Sequence, residues 1–166
     1  MPQPATTALL QAATSTFESL ALFCPEPSAP EGVEFMPFAA VVRVAYQGAG
    51  VGRLVIGVTA GVLPALADNM LGAGDAPDAQ MQRDALGELA NVVTGNVLPL
   101  VHGPAAVFRL DAPCAATADQ FCATAGETRR AIVRLTMEEG DAFIALFDTT
   151  GPSARRADHV ASAVPG

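Results

Sequence analysis

Two strand–turn–strand patterns constrain this chain most. In the first, a run at Val33–Gln47, valine-rich between Ala39 and Tyr46, precedes Gly52–Thr59, where Leu54, Ile56 and Val58 alternate. Gly48-Ala49-Gly50 joins them. In the second, Arg129–Glu138 and Asp141–Asp148 flank a turn at Glu139-Gly140. β-prone runs separated by short glycine turns predict hairpins, and hence antiparallel pairing. Helical patterns lie outside and between them. Leu9, Leu10, Ala13, Phe17, Leu20 and Ala21 recur at three- and four-residue spacing, predicting a first helix from a cap at Thr6 or Thr7 to about Phe23. Pro25, Pro27 and Pro30 then stop it. A second helix is expected over Gly61–Leu71. A third is expected from about Pro77 to Leu98, capped by Asp75, with Pro99 and Gly103-Pro104 marking its exit. A strand near Ala105–Leu110 and a loop with Pro113, Cys114 and Cys122 complete the series. Strands and helices in blocks predict an α+β fold around a largely antiparallel sheet. Residues 1–150 form one domain in this reading, and 151–166 a tail.

Composition excludes several classes of function. The chain has 166 residues, 51% hydrophobic and 16% charged, enough to bury a core. Its net charge of −8 opposes both a nucleic-acid grip and docking on an anionic membrane. All nine basic residues are arginine, so a Walker A loop, a Schiff base and a Ser-Lys dyad are excluded. No apolar run approaches the ~18–20 residues that cross a bilayer. The absence of positive charge before Arg43 does not fit a signal peptide. Cys24, Cys114 and Cys122 are odd in number and lack metal-ligand spacing, which fits reduced thiols in a cytoplasmic protein.

One segment carries chemistry: Arg83–Leu100, RDALGELANVVTGNVLPL. On a helical wheel, Leu86, Leu89, Ala90, Val93 and Val97 fall in a sector about 100° wide. Asp84, Glu88 and Asn91 cluster opposite, within about 60° of one another, with Gly87 and Gly95 in or beside that sector. These choices work against an isolated helix. A helical glycine costs roughly 1 kcal/mol relative to alanine, and Asp84 and Glu88 at i,i+4 repel by roughly 0.2–0.5 kcal/mol. A small landing strip bearing an acid and an amide is expected where another surface must come close.

The stretch DALGELANVVTGNVLP resembles the active-site helix of the CheC/CheX/FliY chemotaxis phosphatases, whose pattern is Asp/Ser-x-x-x-Glu-x-x-Asn with a later proline. Here those positions are Asp84, Glu88, Asn91 and Pro113, and Thr94-Gly95-Asn96 is similar to the CheX branch in particular. The resemblance implies an α+β fold with a pseudo-twofold arrangement. It also implies removal of the aspartyl phosphate from a CheY-like response regulator. In that role Asn91 would position the attacking water, and Glu88 would dock to the regulator's active-site lysine. Asp84 would support docking or simply favour the helix N-terminus, while Gly87 and Gly95 would let the partner's backbone approach. The resemblance further implies a homodimer joined through sheet edges. No cofactor or metal would be held by this chain, because Mg²⁺ belongs to the response regulator. CheC-like members carry the motif twice. The first helix offers only Thr14, Glu18 and Ala21, with alanine where the amide belongs, so a single site is expected. The alternative is a non-enzymatic module that binds a phosphorylated receiver domain; the intact Asp84/Glu88/Asn91 set favours the enzyme.

Other candidates have simpler explanations. His102, at the third helix's exit, is expected to meet terminal carbonyls, and His159 has no evident partner. The thiols are expected to be buried or idle. Gly48, Gly50 and Gly52 precede a strand and so make a hairpin turn rather than a phosphate loop. Arg129, Arg130 and Arg134 are expected on the exposed side of a strand.

Overall fold

A computed structural model describes residues 4–72 and 77–150. Three helices, α1 (Ala5–Ser19), α2 (Val62–Leu71) and α3 (Ala79–His102), lie against one face of a seven-stranded antiparallel sheet. The strands are β1 (Glu26–Ser28), β2 (Phe38–Gly48), β3 (Gly52–Thr59), β4 (Phe108–Leu110), β5 (Cys114–Ala116), β6 (Glu127–Met137) and β7 (Gly140–Thr149). Both expected hairpins form, as β2–β3 and β6–β7, and β3 pairs with β7 at the centre of the sheet.

The order β1-β6-β7-β3-β2-β4, with β5 also on β2, has an internal symmetry. Each half runs helix, edge strand, hairpin. The edge strand of the first half, β1, pairs with β6 of the second, whereas β4 and β5 of the second pair with β2 of the first. This exchange is the pseudo-twofold arrangement.

The main core fills the space between helices and sheet. Phe17 and Leu9 of α1, Leu66 of α2 and Leu86, Leu89 and Val93 of α3 meet Val44, Leu54, Ile56 and Leu146 there. Each such side chain contributes about 1.5–3 kcal/mol by leaving water. The opposite face carries a smaller core of Val41, Val55, Phe121, Phe143 and Phe147, covered by two 3-10 turns, Val33–Phe35 and Ala118–Phe121.

Arg53 of β3 fastens that second layer. It lies only 7% exposed and donates through Nε and Nη2 to both carboxylate oxygens of Glu127, at 2.7 and 3.1 Å. It also donates to the Gln120 and Cys122 carbonyls, and its guanidinium lies 3.9 Å from the centre of the Phe147 ring. The Arg53 hydrogen bonds hold the Glu127 carboxyl well below its ordinary 4.5, at about 2.

Several expected boundaries move, each for a local reason. α1 begins at Ala5 behind Pro4 rather than behind Thr6 or Thr7, and ends at Ser19 because Leu22 adopts a left-handed backbone, φ 59°. Residues Val33–Phe35 form a 3-10 turn after left-handed Gly32, so the strand starts only at Phe38. Asp78 caps α3, its carboxylate accepting from the Met81 N–H at 2.8 Å; Asp75 lies outside the described residues. α3 continues through Pro99 to His102. Of Ala105–Leu110 only Phe108–Leu110 is strand, and the following loop contains β5. The 151–166 tail and His159 lie outside the described residues.

Candidate active site on α3

The site begins with how α3 is held. Ala85, Leu86, Leu89, Ala90, Val93, Val97, Leu98 and Val101 are buried. Thr94 is buried too, its hydroxyl turned back onto the Ala90 carbonyl at 2.7 Å. Asn96 reaches across to α1 and donates to Thr16 Oγ1 at 3.2 Å. Thr94 and Asn96 of the Thr-Gly-Asn continuation therefore anchor the helix.

The opposite face is open. Asp84 and Glu88 are exposed and Asn91 is half-buried. Residues three and four apart on a helix are neighbours, so all three share one stripe. The first turns of that stripe are cross-linked: Arg83 Nη2 donates to Gln80 Oε1 at 3.1 Å, and Gln80 Nε2 donates to Asp84 Oδ1 at 2.8 Å. Gln82 Nε2 donates to the Pro77 carbonyl at 3.1 Å, and the helix's remaining side-chain hydrogen bonds run through Thr94 and Asn96, leaving the Glu88 carboxylate and Asn91 carboxamide with no partner among the described residues.

Beside this stripe lies a cleft of about 570 Å³ between α3 and the β2–β5 edge. Its helix wall carries Gln80, Arg83, Asp84, Leu86, Gly87, Glu88 and Asn91, and its floor is small and apolar, with Ala39, Ala40, Pro113, Ala115 and Ala116. Pro113 shapes the junction. Its Cβ lies 3.3 Å from where a Gly87 Cβ would stand, and Gly87 is buried. The smallness of Gly87 accommodates the chain's own Pro113, and Gly87 also lines the cleft. Gly95 differs. It is exposed, nothing lies within 4 Å of its Cβ position, and it lines no part of the cleft. Pro99, lacking an N–H, cannot donate to the Gly95 carbonyl four residues back. That acceptor is left without its usual helical donor on the same side as Glu88 and Asn91.

The structure therefore brings Asp84, Gly87, Glu88, Asn91 and Pro113 to one cleft and leaves Gly95 one turn beyond Asn91. The floor was missed because β5 is three residues long and lacks alternation; its pairing with Val41–Arg43 is the only signal it gives. Arg53 was missed as a clamp because its partners are 67 to 74 positions away.

Three other expectations are corrected or confirmed here. His102 does not cap carbonyls; its ring packs 5.0 Å from Phe108 and over Gly50, with Nε2 buried and unpartnered among the described residues. All three cysteines are exposed and free, so of the expected buried or idle thiols the burial does not hold. Arg129, Arg130 and Arg134 do lie along β6, with Arg130 and Arg134 paired to Asp148 and Asp141. No described helix is long and apolar enough to cross a membrane.

Comparison with known proteins places this fold. The chain matches the family described as chemotaxis phosphatase CheX over residues 40–137, more than half its length. A comparison with curated protein sequences returns no match. Among solved structures, the chemotaxis protein CheX of Vibrio vulnificus superposes with a TM-score of 0.67 at 19% identity, over 87% of this chain and 97% of that one. CheX of Desulfovibrio desulfuricans gives 0.66 at 17%, over 86% and 97%. The CheX–CheY–BeF3–Mg²⁺ complex of Borrelia burgdorferi gives 0.59 at 18%, over 86% and 95%. At these identities the structural likeness establishes a shared fold, and the family match goes further: the chain belongs to the CheX family of chemotaxis phosphatases, within the CheC/CheX/FliY group.

Proposed function

We propose that this protein hydrolyses the aspartyl phosphate of a CheY-like response regulator, using Asn91 to position water and Glu88 to dock. The observation that carries this reading is a pair of polar groups, unpartnered among the described residues, on one open face of a helix whose other face is buried. A capture of CheX with CheY, BeF3 and Mg²⁺ in a protein of the same fold supports it.

An acyl phosphate is already activated, so the phosphatase need only orient water and complement charge. The Asn91 carbonyl accepts from the water while its NH₂ donates to a phosphoryl oxygen. Water oxygen bonds to phosphorus as the bond to the aspartyl oxygen breaks, giving free carboxylate, inorganic phosphate and a proton released to solvent. Glu88, an exposed carboxylate one turn away, meets a cationic side chain of the partner. Asp84, tied to Gln80, supports the docking edge. Mg²⁺ is the regulator's own, and this chain supplies no cofactor. Such a partner places the protein in the cytoplasm.

Mixing purified protein with a panel of phosphorylated receiver domains tests the reading. Acceleration of phosphate decay for at least one is expected, lost on the order of 100-fold in Asn91→Ala, with Glu88→Ala chiefly raising KM. Binding without accelerated decay would overturn the enzymatic role.

We also propose a homodimer joined through sheet edges. β1 covers only Arg134–Thr136 of β6, leaving the backbone of Glu127–Val133 without an outer strand among the described residues. Light scattering that finds only monomer at micromolar concentration would exclude it.

A further inference from the structure

The cleft beside α3 holds more than the proposed mechanism uses. Glu88 and Asn91 act from the exposed stripe, yet the 570 Å³ space extends from that stripe across to β2 and β5. Val42 and Ala115 are cross-strand partners and so share the sheet face turned toward α3, as does Ala40 two residues away. The floor they form with Pro113 is smooth, apolar and built from short side chains. Above it stand two carboxylates, Asp84 and Glu88. The one cation on the lining among the described residues, Arg83, donates to Gln80. Gln80 in turn satisfies Asp84 Oδ1, so Asp84 Oδ2 is an acceptor without a donor among the described residues.

We infer that this cleft is a recognition pocket for one long basic side chain, lysine or arginine, carried by the docking partner outside its phosphorylation site. The inference rests on the phosphatase reading and adds a second anchor to it. An apolar floor under an acidic wall suits a side chain with an aliphatic stem and a cationic head. A purely aliphatic occupant would desolvate Asp84 with no compensation, and an acidic one would be repelled in a chain of net charge −8. The stem lies over Ala40, Pro113 and Ala115, and the head reaches Asp84 Oδ2. Asp84 thus acts in partner selection.

The test measures Kd for a receiver domain that the wild-type chain dephosphorylates, loaded with beryllofluoride and Mg²⁺. Ala115→Leu fills the floor and Asp84→Lys inverts the wall; both positions are exposed, so unchanged thermal melting confirms that the fold is kept. Each variant is expected to weaken binding about tenfold. Reversing one lysine or arginine of the receiver to glutamate should restore binding to Asp84→Lys alone. If Ala115→Leu weakens binding and Asp84→Lys does not, the occupant is apolar and the proposal falls. If neither variant changes Kd while Asn91→Ala still loses the accelerated decay, the pocket is unused, and the proposal falls with the phosphatase reading intact. If the wild-type chain accelerates decay of no receiver, both fall together.

Discussion

α1 and α3 occupy matching places in the two halves, and α3 carries an acid, an amide and a cleft together where α1 keeps only the acid. Aligned by motif, Thr14, Phe17, Glu18 and Ala21 stand where α3 has Asp84, Gly87, Glu88 and Asn91. The glutamate is kept and exposed in both. Everything around it differs. α3 places a glycine under Pro113 and leaves a cleft; α1 fills that position with Phe17, wholly buried and packed 6.2 Å from Phe23. The helix α1 stops at Ser19, so Ala21 is not on a helical face at all. It is buried, and its carbonyl accepts from Asn69. What distinguishes α3 is continued helix beyond the acid, an amide three residues on, and space beside both.

The comparison can be broken first at Phe17. Phe17→Ala should cost about 3–5 kcal/mol by emptying core space, read as a fall in denaturation midpoint, without creating a second phosphatase site. Gain of activity in an Asn91→Ala background would show that α1 is only sterically blocked.

The layer over the sheet's other face comes next. Arg53 ties the segment after β5 to Glu127, and β5 forms one wall of the α3 cleft. Arg53→Met should destabilise by about 3–5 kcal/mol, since Glu127 loses its buried counter-charge, and should return the Glu127 carboxyl toward its ordinary 4.5, as followed by NMR titration. In the intact pair the lowered value of about 2 sets the sign. The contribution, on the order of 2 kcal/mol after allowing for nearby solvent, is fully present above pH 4.5 and disappears as pH falls toward 2.

The smallest effect sharpens the role of the open stripe. Gly95 has no neighbour that a methyl would strike, so Gly95→Ala should stabilise α3 by about 1 kcal/mol. If a partner's backbone approaches there, the same change weakens docking. Tighter binding alongside higher stability would remove Gly95 from the interface.

Much of the α3 stripe was legible because helical periodicity is local: Asp84, Glu88 and Asn91 follow from spacing alone, and the two hairpins from alternation and glycine turns. The cleft was not, because half of its lining comes from β2, Pro113 and β5, and β5 is a strand defined by pairing with Val41–Arg43 some 73 positions earlier. The contact of Gly87 with Pro113 was hidden for the same reason, since Pro113 lies 26 residues downstream. Local punctuation also misled at Pro99, where the helix continues because its displaced acceptor, the Gly95 carbonyl, is at an exposed residue.

The exchange of edge strands between halves gives α1 a reason to persist. β1, which follows α1, closes β6, and β5, which precedes β6, closes β2. Neither half is a separable module: cut apart, each would expose strands whose proper neighbours belong to the other, and such edges invite aggregation. α1 and its strands cannot be trimmed away, because the half that carries the cleft is built on them.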